Sequence, residues 1–185
     1  MTDLPTIGSL EVMSAVEHPE LLAPSVHRAL LDWELGGAVS VIEIDPNLAD
    51  TAALTDAYDL PLTASANCVV VAGKRAGEER VAACVVTADT RADVNNLVKR
   101  VLDVRKASFL STDRAVEEAS MEYGGITPVG LPDSWRVLVD ATVADIDVAM
   151  IGSGVRRSKL MLSGAHLAAY PRAELIEGLG IKVQG

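Results

Sequence analysis

Apolar positions along this chain switch between a helical and a strand-like period. Between residues 9 and 36, Leu21, Leu22, Val26, Leu30 and Leu31 recur at roughly helical spacing. Pro19 and Pro24 divide the stretch into two helices, and Gly36-Gly37 stops the second. From Ala38 the pattern becomes alternating: AVSVIEID, residues 38–45, reads as a strand that Pro46 ends. Asp50 and Thr51 carry an N-cap signal for a helix through AALTDAYDL, closed by Pro61. NCVVVAG and RVAACVVT, joined by the turn KRAGEE, read as a hairpin over residues 67–87. Residues 93–103 predict a helix with Val94, Leu97, Val98 and Val101 or Leu102 on one face. Ser111-Thr112 caps a short one, DRAVEEAS. After the loop EYGGITPVGLP the chain returns to β at WRVLVD, DVAMI and KLMLS. A short helix near 164–169 and a strand near IKV complete it.

This irregular interleaving, with a hairpin, lacks the repeated βαβ units of a doubly wound sheet. It predicts one α+β domain, a mixed sheet with helices outside it. The 185 residues, 49% hydrophobic, can bury a core without disulfide or metal staples. With aromatics at 3%, that core must come from Val, Leu, Ile and Ala. The net charge of −10 is local. Residues 1–60 hold eleven acids against Arg28 alone, whereas the remainder balances fifteen acids with fifteen bases. An acidic surface is a poor ligand for phosphates, which weighs against nucleic acid, but the neutral two-thirds lessens that objection. Cys68 and Cys84 sit in apolar runs and are expected as buried, reduced thiols. The acidic N-terminus has no basic or long apolar leader, and no run approaches eighteen apolar residues. The expectation is a soluble cytoplasmic protein with no membrane partner.

Several chemistries are excluded by their motifs. Gly152-Ser153-Gly154 is neither a nucleophile elbow nor a complete dinucleotide fingerprint, and no P-loop exists. His18, His27 and His166 lack metal-ligand spacing, so neither metal nor cofactor is expected. The loop Gly124-Gly125-Ile126-Thr127-Pro128-Val129-Gly130-Leu131-Pro132 stands out. Its glycines permit positive φ and leave N–H groups bare, and Pro128 fixes its path. Such a loop can aim donors at a carbonyl or phosphate oxygen; it can equally be a plain turn.

Taken in order, DTAALTDAYDLPLTASANCVVVAG, the G-x-x-x-P loop Gly124 to Pro128, WRVLVDATV and MIGSGVRRSKLMLSGAHLAAY resemble the YbaK family of aminoacyl-tRNA deacylases. That family also supplies the editing domain inserted in bacterial prolyl-tRNA synthetases. The resemblance runs from about residue 38 to residue 178. It leaves 1–37 as an N-terminal helical extension to an editing-like domain over 38–185. It implies a large mixed sheet curled into a partial barrel with surrounding helices. It also implies hydrolysis of the ester on a mischarged tRNA, such as alanine or cysteine on tRNA for proline. Gly124 and Gly125 would then supply oxyanion donors, with Asn67 and Asp140 completing the catalytic set. Tyr123, Thr127, Pro128, Gly152, Ser153, Gly154 and Arg156 would hold the aminoacylated 3′ end of the tRNA. In this account the GSG bend faces the glycine loop across a small pocket, and a β-turn is its competing explanation. A strand-end role competes likewise for Asp140, and a rim or core position for Tyr123. Active members usually carry a lysine just before the apolar strand, where this chain has Asn67. Asn carries no charge. Lys74 lies roughly 20 Å along the strand, too far to substitute. The alternative implied is a catalytically impaired module that still binds tRNA or aminoacyl-adenosine.

Overall fold

The hairpin that the apolar runs predict is the centre of the larger of two main sheets. In the computed structural model, which describes residues 4–7, 10–49, 51–58 and 60–183, β3 (Ala66–Arg75) and β4 (Glu78–Thr87) pair over their whole length. Ala76 and Gly77, both at positive φ, make the two-residue turn that suits the strands' twist. β6 (Ala107–Phe109) pairs antiparallel to β3. β7 (Arg136–Asp140) and β10 (Ala173–Ile176) add in parallel beyond β4, giving the order β10-β7-β4-β3-β6. A second, antiparallel sheet holds β1 (Met13–Ser14), β2 (Ser40–Glu43), β9 (Ser158–Leu162) and β8 (Ala149–Gly152), in that order. A small pair joins β5 (Thr90–Ala92) to β11 (Gly180–Lys182).

The sheets pack through the side chains that alternate inward. Val70, Ala83, Val85, Val137 and Val139 of the larger sheet share one apolar cluster with Val41, Ile151, Leu160 and Leu162 of the smaller. Residues one position along each strand face the other way. Val71, Ala82, Cys84 and Leu138 pack beneath the segment 94–104, and Ile42, Met150 and Met161 pack against Leu54 and Leu60. At one side the sheets touch through a single parallel bridge, Ser65 to Met150. The result is the expected α+β architecture, a mixed sheet curled against a second one, and it is open, not a closed barrel.

The helices are shorter than the sequence pattern predicts. They are α1 (Pro24–Asp32), α2 (Thr51–Ala57), α3 (Lys99–Val101), α4 (Thr112–Ala119) and α5 (Gly164–Ala168). The first expected helix is instead two 3-10 turns, Ala15–Glu17 and Pro19–Leu21, because Pro19 and Pro24 each open a new turn and leave no room for a longer one. Residues 93–103 begin as a wide turn over Val94–Val98, in which Val98 N–H reaches back to Asp93 O, before α3. The expected N-cap at Asp50 lies outside the described residues. β5, β6 and β10 were not expected; at three or four residues they are too short to show a period. The N-terminal segment shares the main core through Ala15, Leu21, Leu22, Val26, Leu30 and Trp33. Among the described residues no helix is long and apolar enough to cross a membrane.

Candidate functional site

β3 is flanked unevenly, and a cleft forms where it loses its neighbour. On its outer side the bridge at Ser65 holds β8, and pairing to β6 begins only at Val71. Between those points the strand edge runs open. A cleft of about 370 Å³ occupies the gap, lined by Ser65 to Val70 without a break. Its other walls are Ala49 and Leu54, Phe109, Leu110, Thr112 and Ala115, Tyr123, Gly124 and Ile126, and Met150, Ile151, Gly152 and Lys159.

Strand alternation decides which backbone groups face this gap. Val70 O accepts from Leu110 N–H on the β6 side, so Cys68, two residues back, turns its own N–H and C=O the same way. Odd-numbered residues turn toward β4 instead, as Ser65 O does in accepting from Ala88 N–H. Cys68 thus offers the cleft a backbone donor. Its thiol is no nucleophile: burial, with Cys84 nearby, pushes it far above the usual range, and Cys84 itself is pushed up to about 12 by burial. The two cysteines lie on opposite faces of the sheet, Cys68 with Val70 and Cys84 with Val71, so they cannot form a disulfide. Asn67 lines the cleft half-buried, its side chain on the face opposite Cys68. Ser65 Oγ is buried without a hydrogen-bond partner among the described residues.

The glycine loop and the GSG bend do come together, but as one wall. Gly154 N–H donates to Gly125 O at 2.7 Å, and Glu122 N–H to Gly154 O at 2.8 Å. A Cβ at Gly152 would sit 2.4 Å from Gly125 O, so only glycine allows the loop to press on the end of β8. This corrects the expected arrangement across a pocket. Gly124 and Gly152 face the cleft, while Gly125, Ser153 and Gly154 form the layer behind. Gly125 N–H is committed to Glu122 O at 3.0 Å, so it is not a bare donor; Gly124 N–H has no acceptor among the described residues. Thr127 and Pro128 are buried beneath the loop. Ser153 Oγ is held by Ser158 Oγ at 2.7 Å.

Two further expected residues have structural tasks. Asp140 lies outside the cleft. Its Oδ1 accepts from Thr142 N–H at 2.9 Å, capping the 3-10 turn Ala141–Asp145, and its Oδ2 accepts from Gly180 N–H at 2.6 Å, which ties β11 to β7. Both carboxylate oxygens are thus engaged. Arg156 braces the cleft mouth from behind, donating to Tyr123 O at 2.9 Å and Pro46 O at 3.0 Å with its guanidinium over the Tyr123 ring. Tyr123 is 64% exposed and borders the cleft. A larger depression of about 720 Å³ is lined by Thr142 and Gly180, which bond to Asp140, and by Asp145 and Asp147 among others, but by none of the expected site residues.

The most informative residue is Lys159, which follows Arg156 and Arg157 closely in the chain. Lys159 is 7% exposed, lines the cleft, and donates from Nζ to Ala49 O at 3.0 Å. A lysine inside the apolar strand SKLML was its one signal. Burying an ammonium is costly unless polar groups meet it, and Ala49 O is one that does. None of the three histidines lines the cleft. Among the described residues no three metal-ligating side chains meet.

Comparison with known proteins bears on the family and the fold. The family model for an aminoacyl-tRNA editing domain matches residues 45–170. A solved structure called hypothetical protein APE2540 superposes with a TM-score of 0.73 at 18% identity, covering 85% of this chain and 99% of that one. Another, assigned provisionally as a trans-editing enzyme for prolyl tRNA synthetase, gives 0.69 at 18% identity, over 88% and 99%. A third, assigned provisionally as a signal transduction protein from Marinobacter aquaeolei VT8, gives 0.54 at 16% identity and matches over only 30% of its own length. The search of curated proteins returned no match.

Proposed function

The chain belongs to the aminoacyl-tRNA editing domain family, and from that premise we propose that its cleft hydrolyses the ester linking a small amino acid, such as alanine or cysteine, to the 3′ end of a mischarged tRNA. The reaction is set in the cytoplasm, with tRNA for proline as the first candidate. The observation that carries the reading is the cleft itself. In one small space it gathers the open edge of β3, which carries Asn67, the glycine loop, and the buried Lys159 of β9.

The chemistry asks for little. An aminoacyl ester is already activated, and water attacks its carbonyl once the developing oxyanion is held. The N–H groups of Cys68 and Gly124 are the donors for that oxygen, and the Lys159 ammonium supplies the nearby positive charge. Water adds to the carbonyl carbon and the ester C–O bond breaks. The amino acid leaves as its carboxylate, and of water's two protons one passes to the ribose oxygen and the other to solvent. Ile126, Met150, Ile151 and Leu54 give the acyl group an apolar seat whose size limits it to small side chains.

The competing reading, a module that binds but does not hydrolyse, rests on Asn67 in place of the usual lysine. Incubation of excess protein with tRNA charged in turn with alanine, cysteine, serine and proline separates the two. Ester loss above background with a small residue supports the hydrolase. Binding of an aminoacyl-adenosine analogue without turnover of any ester supports the module.

A further inference from the structure

Phe109, the only phenylalanine in the chain, is 61% exposed at the end of β6 and borders two depressions at once. On one side is the cleft. On the other is a groove of about 480 Å³ between β6, the turn end of the β3–β4 hairpin and the start of α4, lined by Lys74, Glu79, Arg105, Lys106, Ser108 and Arg114 among others. Leu110 also belongs to both, so the groove adjoins the cleft at the end of β6.

The groove's charge is opposite to the protein's. The chain as a whole carries −10, yet four cations and one carboxylate line this groove. The carboxylate, Glu79, is taken by Arg114 at 2.8 Å. Lys74 faces Glu79 across the β3–β4 ladder beyond ion-pair distance, and Arg105 and Lys106 are exposed and form no ion pair among the described residues. A strip with a net excess of three cations and an exposed aromatic at its inner end matches a single-stranded nucleic acid. The phosphates follow the cations, and a base stacks on the ring.

We propose that the RNA strand whose 3′ end enters the cleft crosses Phe109 and lays its backbone along the Lys74–Arg105–Lys106 groove. Phe109 and Tyr123, the two most exposed aromatics, then flank the cleft as stacking surfaces. This inference rests on the proposed tRNA substrate and adds the path by which that substrate approaches. It also accounts for RNA binding by an acidic protein: the eleven acids of residues 1–60 need not meet the phosphates if the strand leaves over β6.

The test compares wild type with the triple variant Lys74→Ala, Arg105→Ala, Lys106→Ala, and with Phe109→Ala. Binding of uncharged tRNA is measured by fluorescence anisotropy across a salt series, and ester hydrolysis is measured on alanyl-tRNA and on 3′-O-alanyl-adenosine. The triple variant should bind tRNA more weakly, by tenfold or more at low salt, with a salt dependence shallower by about two to three released counterions. It should hydrolyse alanyl-adenosine like wild type, because these side chains lie outside the cleft. Phe109→Ala should weaken tRNA binding by roughly tenfold. Unchanged affinity and salt slope in the triple variant overturn the path, as does a wild type that binds no tRNA. If alanyl-adenosine also survives intact with wild type, the hydrolase reading falls separately, whatever the groove binds.

Discussion

Lys159 stands directly opposite Gly152 across the β8–β9 ladder, and its ammonium lies in the same cleft that Gly152 borders. Cross-strand partners share a face. On that face Gly152 has no side chain, so the backbone carbonyls of Gly125 and Ile126 settle onto it, 2.4 and 2.6 Å from where a Cβ would be. One strand pair thus places both the charge and the glycine loop at the open edge of β3.

Lys159→Met removes the charge while keeping the stem's volume. We expect hydrolysis of a mischarged tRNA to fall about a hundredfold or more, the usual loss when an oxyanion-stabilising group is deleted. Ala49 O loses its donor in the same variant, at a cost of about 1–3 kcal/mol in stability. Thermal unfolding alongside single-turnover kinetics distinguishes the two effects. Full activity in a folded Lys159→Met protein would remove the residue from the mechanism.

Gly152→Ala should destabilise the fold by about 3 kcal/mol, because the atoms it meets are backbone and cannot swing away. For a chain of this length that lowers Tm by roughly 6–12 °C. Gly37→Ala is the control. Nothing lies within 4 Å of its added Cβ, so its Tm should be unchanged or slightly higher.

Asp140→Ala tests a structural assignment against a catalytic one. Loss of the bonds to Thr142 and Gly180 should cost about 2 kcal/mol and loosen β11, visible as faster amide exchange at Gly180. The rate per folded molecule on alanyl-tRNA should match wild type. A collapse of kcat with Tm intact would restore Asp140 to the catalytic set.

Glu174 is held below the usual carboxylate range by its hydrogen bonds to Arg136, which join β10 to β7. A carboxylate with a lowered folded pKa stabilises above its unfolded value, about 4.3, and loses that contribution as pH falls through the folded one. Both partners are more than a third exposed, so the pair contributes no more than about 1 kcal/mol. Glu174→Gln should therefore be slightly less stable than wild type at pH 7, with the gap closing toward pH 3. Urea unfolding at the two pH values reads this directly. A gap that widens in acid would contradict the assignment.

The hairpin, the glycine loop and the final strands could be read from the chain because each announces itself within a few residues, through alternation, glycine or proline. The first helix of residues 9–36 shortens to 3-10 turns because Pro19 and Pro24 lie only five residues apart and each restarts the backbone, which leaves too few residues between them for an α-helix. The cleft could not be read that way. It exists because Ser65 meets Met150, because Gly125 meets Gly154, and because β6 stops short along β3. Periodicity describes neighbours two to four positions apart, and these contacts join segments far apart in the chain. Local patterning determined that there would be a mixed sheet and a glycine-rich bend. Only the packing of one sheet on the other decided that a buried lysine from β9 would stand beside the strand whose own position holds Asn67, since burial and proximity are properties of the folded chain.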